Sequence, residues 1–179
     1  MFFTKRKAIL LFIISSTFFF LTYQDVKSSE ITSVTGYAKV TDGDTLKINT
    51  FKIRLDGIDA PEKKQNCKKP YLTILMFTLY EDYPCGQKST EALINKINNQ
   101  KVTCNISNID YFKRLVGECY KRNINLNSWL VSNGHAVAYR KDSKKYVSEE
   151  ILAKQEKKGI WQGKFEMPWE YRKSKKDQN

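Results

Sequence analysis

Residues Val40–Glu62, V-T-D-G-D-T-L-K-I-N-T-F-K-I-R-L-D-G-I-D-A-P-E, constrain this chain more than any other stretch. Two short apolar runs, Leu46–Ile48 and Phe51–Leu55, flank turn residues. Leu46 and Ile48 alternate with Lys47, and Phe51, Ile53 and Leu55 alternate with Lys52 and Arg54. A period of two predicts two strands, each with one face toward a core. Asp44, Asp59 and Glu62 fall at the strand ends, and Arg54 falls on the outward face. An unpaired buried charge is costly, so such acids are poor core residues. They suit a hard cation, which takes oxygen ligands.

Alone, D-G-D-T is an ordinary hairpin turn. Combined with R-L-D-G-I-D-A-P-E, which begins ten residues after Asp44, it resembles the active-site signature of the thermonuclease (staphylococcal nuclease) family. The resemblance runs on to Trp161 and covers most of the chain beyond residue 34. It implies an α+β, mainly β fold: a five-stranded OB-type barrel with three α-helices.

The 179 residues suffice for one domain with extensions. Lys and Arg outnumber Asp and Glu by 31 to 19, a net charge of +12, which favours polyanionic partners. Residues 1–28 read as a signal peptide. Lys5, Arg6 and Lys7 precede the mostly apolar run Ala8–Leu21, and Val26 and Ser28 suit cleavage after Ser28, although no A-x-A pattern is present. The other reading of this segment is an uncleaved N-terminal anchor; no Cys stands beside it to make a lipoprotein. Either way the chain is expected to be exported. Lys5, Arg6, Lys7 and Lys27 against Asp25 account for only a small part of the net charge, so the remainder is also basic.

Three segments are expected: the signal or anchor at 1–28, a nuclease-like domain at 29–171, and a disordered basic tail at 172–179. Within the domain, strands are predicted at 31–39, 102–106 and 115–120, besides the two in the motif. Gln87–Asn98 reads as a helix with Ala92, Leu93, Ile94 and Ile97 on one side. A short helix follows at Leu126–Asn133, then an extended stretch at His135–Tyr139. A last helix is capped by Ser148 and runs to Lys158 before Gly159. Lys63–Gly86 is longer and more apolar than the family pattern leads one to expect. Its Tyr71–Tyr80 run reads as a helix or strand packed on the barrel, or as a lid.

Cys67, Cys85, Cys104 and Cys119 follow a signal-like segment, so disulfides are the expectation. Four cysteines allow three pairings. A hairpin turning at Tyr111–Phe112 sets Cys104 opposite Cys119, within disulfide reach, which leaves Cys67 with Cys85. Zinc is disfavoured, because there is no C-x-x-C and His135 is the only histidine.

The resemblance also assigns roles. It makes Asp44, Asp59 and the Ala60 carbonyl ligands of Ca²⁺, and puts Glu62 in the place of the general base. Arg54 and Arg114 stand where the family has two phosphate-binding arginines. Arg114 lies in D-Y-F-K-R, with Lys113 where the family usually has glycine. Phe112 and Tyr139 either stack on a base or flank the nucleotide, or pack in the barrel core or on its rim. The expected function is an exported, Ca²⁺-dependent hydrolysis of DNA and RNA with little sequence preference, by a monomer with no obligate protein partner inferred. Two rivals are a non-catalytic OB module and a membrane-tethered protein whose basic face binds anionic lipid or cell-wall polymer.

Overall fold

The computed structural model describes residues 31–177. The expected signal or anchor, residues 1–28, lies outside the described residues, as do the last two of the chain.

Alternation produces the barrel. Strands β1 (Ser33–Asp42), β2 (Thr45–Ile48) and β3 (Phe51–Leu55) form an antiparallel meander. It pairs Val40 with Leu46 and Leu46 with Ile53. The short β4 (Ile58–Asp59) follows. After an inserted hairpin, β5 (Cys67–Ile74) and β6 (Phe77–Tyr83), helix α1 (Cys85–Ile97) leads to β7 (Lys101–Ile109) and β8 (Leu115–Lys121). β7 pairs antiparallel with both β1 and β8, and β3 runs parallel to β8. That last pairing closes five strands into a mixed barrel with no free edge. Leu46, Ile48, Ile53, Leu55, Val102 and Leu126 fill it without solvent exposure.

The remaining elements are β9 (Ile124–Asn125), α2 (Leu126–Ser132), β10 (Val137–Ala138), α3 (Val147–Gln155), a 3₁₀ turn at Gly159–Gln162, and α4 (Pro168–Lys176). Leu93 and Ile97 of α1 enter the barrel core, but Ile94, expected beside them, is about half exposed. Ser148 does not cap α3. Tyr146 holds that position, with its hydroxyl on Glu118, and Ser148 already lies in the first turn. Glu150, also in the first turn, complements the helix dipole and does more. It is buried, accepts the Ala138 N–H at 3.2 Å and pairs with Arg140 and Lys154, which ties α3 to β10.

Both expected disulfides are formed. Cys104 faces Cys119 across the ladder, fully buried, and Cys67 joins Cys85 at the start of α1. The apolar run of the insertion is strand, as one of the expected readings has it: a hairpin, not a helix, and it does not line the cleft described below as a lid would. Its register pairs Ile74 with Phe77 and Leu72 with Leu79.

The tail expectation is corrected. Residues 172–176 continue a helix that begins at Pro168, so the described part has four α-helices, one more than expected. Proline suits the first helical position because its missing N–H has no intrahelical partner there. Glu170 in the first turn and Lys173, Lys175 and Lys176 in the last complement the helix dipole. Met167 and Trp169 anchor the helix on a second apolar cluster around Cys67, Cys85, Val137 and Ile160.

Candidate active site

The first wall of the site is built from the opening meander. The loop between β1 and β2 is two residues long, Gly43–Asp44. A side chain at Gly43 would meet the Cβ atoms of Ala60 and Ser89 at 2.7 and 2.9 Å, so glycine lets this turn settle against them. Thr45 faces Arg54 in the β2–β3 register, which brings Arg54 beside Asp44. Arg54 donates to Asp44 Oδ2 at 2.7 Å, to the Ile58 carbonyl at 3.1 Å and to Asp59 Oδ1 at 3.3 Å. Asp44 Oδ2 also accepts the Ala60 N–H at 3.3 Å. Asp59, on β4, is fully buried.

Glu62 follows on a braced loop. Buried Gln65 accepts the Glu62 N–H at 3.1 Å and donates to the Glu166 carbonyl at 2.7 Å, linking the loop to the C-terminal segment. Gly86, in the first turn of α1, abuts the Glu62 carbonyl so closely that an added Cβ would lie 1.7 Å from it.

The second wall comes from afar. Trp169 stacks at a tilt on Tyr139, with ring centroids 5.6 Å apart. One turn on, on the same side of α4, Arg172 reaches back. Its guanidinium donates to Asp59 at 2.8 and 3.0 Å and to Glu62 Oε1 at 2.7 Å. The third contribution is the β7–β8 turn. Asp110 accepts the backbone N–H groups of Phe112 and Arg114 and pairs with Arg114 Nε at 2.7 Å. Lys113 there has φ +60°, which explains why glycine suits that position.

These walls enclose a cleft of about 820 Å³. Asp44, Arg54, Ala60 and Glu62 line it on one side; Phe112, Arg114 and Tyr139 complete the expected set. Asp59 sits behind the surface, reached through Arg54 and Arg172. Phe112 is 74% exposed, which excludes a core role, while Tyr139 is half-buried against Trp169. Lys52, Lys173 and Lys176 add positive charge to the rim.

The electrostatics follow from burial and crowding. Burial and the neighbouring Asp44 push the Asp42 carboxyl up to about 6. Burial pushes Asp59 up as well, against the pull of Arg172 and Arg54. Burial works against the charge of both these arginines, but their carboxylate partners outweigh it and hold them above the ordinary value.

The family model for staphylococcal nuclease homologues matches residues 52–163. The chain belongs to the staphylococcal nuclease family. Over 136 residues it is 33% identical to the succinoglycan biosynthesis protein ExoI of Rhizobium meliloti (strain 1021), covering 74% of this chain and 67% of that one. An uncharacterized endonuclease of Escherichia coli O157:H7 is 30% identical over 149 residues, 75% of this chain and 83% of the relative. The probable staphylococcal-like nuclease CAN3 of Oryza sativa subsp. japonica is 28% identical over 137 residues. That match covers 75% of this chain but only 32% of the rice protein. As a member of the staphylococcal nuclease family, the chain is an enzyme of the nuclease class.

Sequence reasoning missed Arg172, Trp169 and Gln65. Arg172 lies beyond the stretch that matches the family, within a run of lysines that reads as a solvated tail. The signal that marks it is Pro168 followed by Trp169, with Arg172 one helical turn on. The donors expected to hold Ca²⁺ are oxygens only, two carboxylates and a carbonyl, and Asp44 and Asp59 meet on one guanidinium. One cation, the Arg54 guanidinium, already lies 2.7 Å from Asp44 and 3.3 Å from Asp59, so the two carboxylates stand close enough together to suit a hard cation. Among the described residues, no group of three or more His, Cys, Asp or Glu side chains converges on one point as metal ligands. Backbone oxygen, water or substrate would complete the coordination.

Proposed function

We propose that the cleft hydrolyses phosphodiester bonds of DNA and RNA, with Ca²⁺ as cofactor and little preference for sequence. One observation carries the reading: an acid at the end of a braced loop, Glu62, shares a cleft with two arginines, Arg54 and Arg114, and stands beside the paired acids Asp44 and Asp59. Asp44, Asp59 and the Ala60 carbonyl would hold the Ca²⁺, which when bound supplies a Lewis acid for a phosphate oxygen.

The chain's own residues do the rest. Arg54 and Arg114 offer forked donors to the phosphate and meet the negative charge that grows on it. Their own carboxylate partners, Asp44 and Asp110, fix where the guanidinium groups point. Glu62 accepts a proton from the water as its oxygen attacks phosphorus, the bond to the 5′ oxygen breaks, and that oxygen takes up a proton from solvent, leaving a 3′-phosphate and a 5′-hydroxyl. Arg172 holds Glu62 and Asp59 from the side of α4. The cationic rim supplies affinity for any strand, and Phe112 and Tyr139 offer rings to bases.

The test is cleavage of single- and double-stranded DNA and of RNA by the purified protein, with Ca²⁺, with Mg²⁺ and with chelator. Cleavage of all three substrates with Ca²⁺, its loss with chelator and poor recovery with Mg²⁺ are expected, since Mg²⁺ demands tighter octahedral coordination. Nucleic-acid binding without cleavage under every condition would favour the non-catalytic module.

A further inference from the structure

The β5–β6 hairpin takes no part in the cleft. Its base is held by the Cys67–Cys85 disulfide and by a bridge between Lys68 and Lys164. Its tip is bare. Leu75 is 93% exposed, Met76 92% and Phe77 75%, and the run Leu72–Leu79 holds no charged residue. The two polar side chains in that run satisfy each other, Thr73 Oγ1 and Thr78 Oγ1 lying 3.2 Å apart. Closer to the body stand Tyr71 and Tyr80, and beyond them the pairs Lys68–Asp82 and Lys69–Glu81. Lys63 and Lys64 are exposed beside the base, and Lys164 lies over the Tyr80 ring at 4.7 Å.

The geometry points to a membrane contact: this hairpin inserts its tip into the interface of a bilayer containing anionic lipid. Polarity changes along the hairpin axis, from aliphatic tip through tyrosines to lysines. A bilayer presents the same sequence, from acyl chain through interface to charged headgroup. Two copies meeting through their hairpins would bring together bases that each carry more lysines than acids, whereas anionic headgroups complement them. The reach suits an interfacial depth. Four steps from Leu72 to Met76 span roughly 13 Å at about 3.3 Å each, less than half of a hydrocarbon core of about 30 Å. Water and headgroups in the interface satisfy the unpaired N–H and C=O groups along the hairpin edges, which the hydrocarbon core would not, so the contact is interfacial and confined to the tip. The contact is independent of residues 1–28 and of the nuclease reading.

The test places a reporter at the tip. Full-length Met76→Trp is mixed with vesicles of phosphatidylcholine alone, or of phosphatidylcholine with phosphatidylglycerol, whose acyl chains are brominated; wild type gives the background of Trp129, Trp161 and Trp169. The introduced indole is expected to shift to the blue and to be quenched on the anionic vesicles only. Combined Leu75→Ser, Met76→Ser and Phe77→Ser should weaken the partitioning that remains above the background of residues 1–28 by about tenfold or more. Circular dichroism melting checks that each variant folds. An indole that stays water-like on vesicles that bind the protein overturns the proposal, since another part of the chain then does the binding. So does equal quenching on phosphatidylcholine alone. A blue shift that grows with protein concentration without lipid overturns it too, in favour of a second copy as the occupant.

Discussion

The two walls of the cleft are made in opposite ways. The strand wall places Asp44, Arg54, Asp59 and Glu62 within nineteen residues of one another, through two tight turns and one register. The helical wall places Arg172 on the same carboxylates from 113 residues away from Asp59, with nothing local to align it. Its position depends on Trp169 against Tyr139, on Met167 in the second apolar cluster, and on Gln65 bridging to Glu166. One wall owes its geometry to chain connectivity, the other to docking. The strand wall should therefore govern the chemical step, and the helical wall should tune it.

The strongest test of that division is Glu62→Gln. Hydrolysis is expected to fall at least roughly 10²-fold, the scale for loss of a general base. Nucleic-acid affinity should hold or rise slightly, because one negative charge leaves a site for a polyanion. Turnover lost without weaker binding marks a group that acts in the transition state. Added Ca²⁺ should not rescue this variant, whereas it should partly rescue Asp44→Asn. A Gln variant that cleaves at the wild-type rate would move the proton acceptor elsewhere and remove the distinction between the walls.

Much of the strand wall was legible. Leu46, Ile48, Ile53 and Leu55 are fully buried, as their alternation with charged residues requires. The Cys104–Cys119 pairing needs the turn and one irregularity: Ile109 faces Leu115 beside the turn, and a bulge between Ile106 and Asn108 shifts the register so that Cys104 faces Cys119. Such features are set within a few residues, where the period of a strand determines which side chains share a face. The lysine-rich composition of 172–179 pointed to a solvated tail, yet two apolar anchors just ahead of it, Met167 and Trp169, suffice to dock a helix. Ser148 illustrates the same limit on a smaller scale. It carries the residue type of a cap, but Tyr146, drawn to Glu118, starts the helix earlier.

The disulfides sharpen the comparison. Each closes a loop of similar length, with sequence separations of 15 and 18, so each should contribute about 3 kcal/mol. Their sites differ. Cys104 and Cys119 lie inside the barrel, whereas Cys67 and Cys85 belong to the cluster on which α4 docks. Urea denaturation of Cys67→Ala with Cys85→Ala, and of Cys104→Ala with Cys119→Ala, should show comparable losses of stability. At temperatures where both variants remain folded, only the first should also lower activity. Equal loss of activity in the two would mean that docking of α4 does not depend on its cluster.

A smaller effect is expected at Arg172. Arg172→Ala should lower kcat/KM about tenfold, the low end for losing a charged hydrogen bond. Arg172→Lys should recover part of it, because charge is kept but the fork that reaches Asp59 and Glu62 together is lost. A purely structural helix anchor would respond alike to both substitutions, and melting temperatures read beside the kinetics separate the two cases.

The smallest effect lies at the seam between the walls. His135 precedes β10, the strand whose Val137 pairs with Asp59, and its carbonyl accepts the Ser89 hydroxyl of α1 at 2.7 Å. Its ring is half-buried beside Trp129, with centroids 5.4 Å apart, and burial lowers its pKa. A free histidine titrates near about 6.5. Because the folded value is depressed, the unfolded chain binds more protons as pH falls through that range. The contribution of His135 to stability is therefore complete above the ordinary value and declines below it, down to the folded value, beyond which it changes no further. Acid should thus loosen the seam before it affects the barrel. Melting temperatures at pH 7.5 and pH 5 should fall more for wild type than for His135→Gln, since both share every carboxylate and differ only in this ring. Hydrogen exchange should show the difference first at the amides of β10, which pairs with β4 and its Asp59, and last at β2 and β3. An identical pH dependence in the two proteins would show that the ring takes up its proton without disturbing the seam, and that the two walls are joined more rigidly than their separate origins suggest.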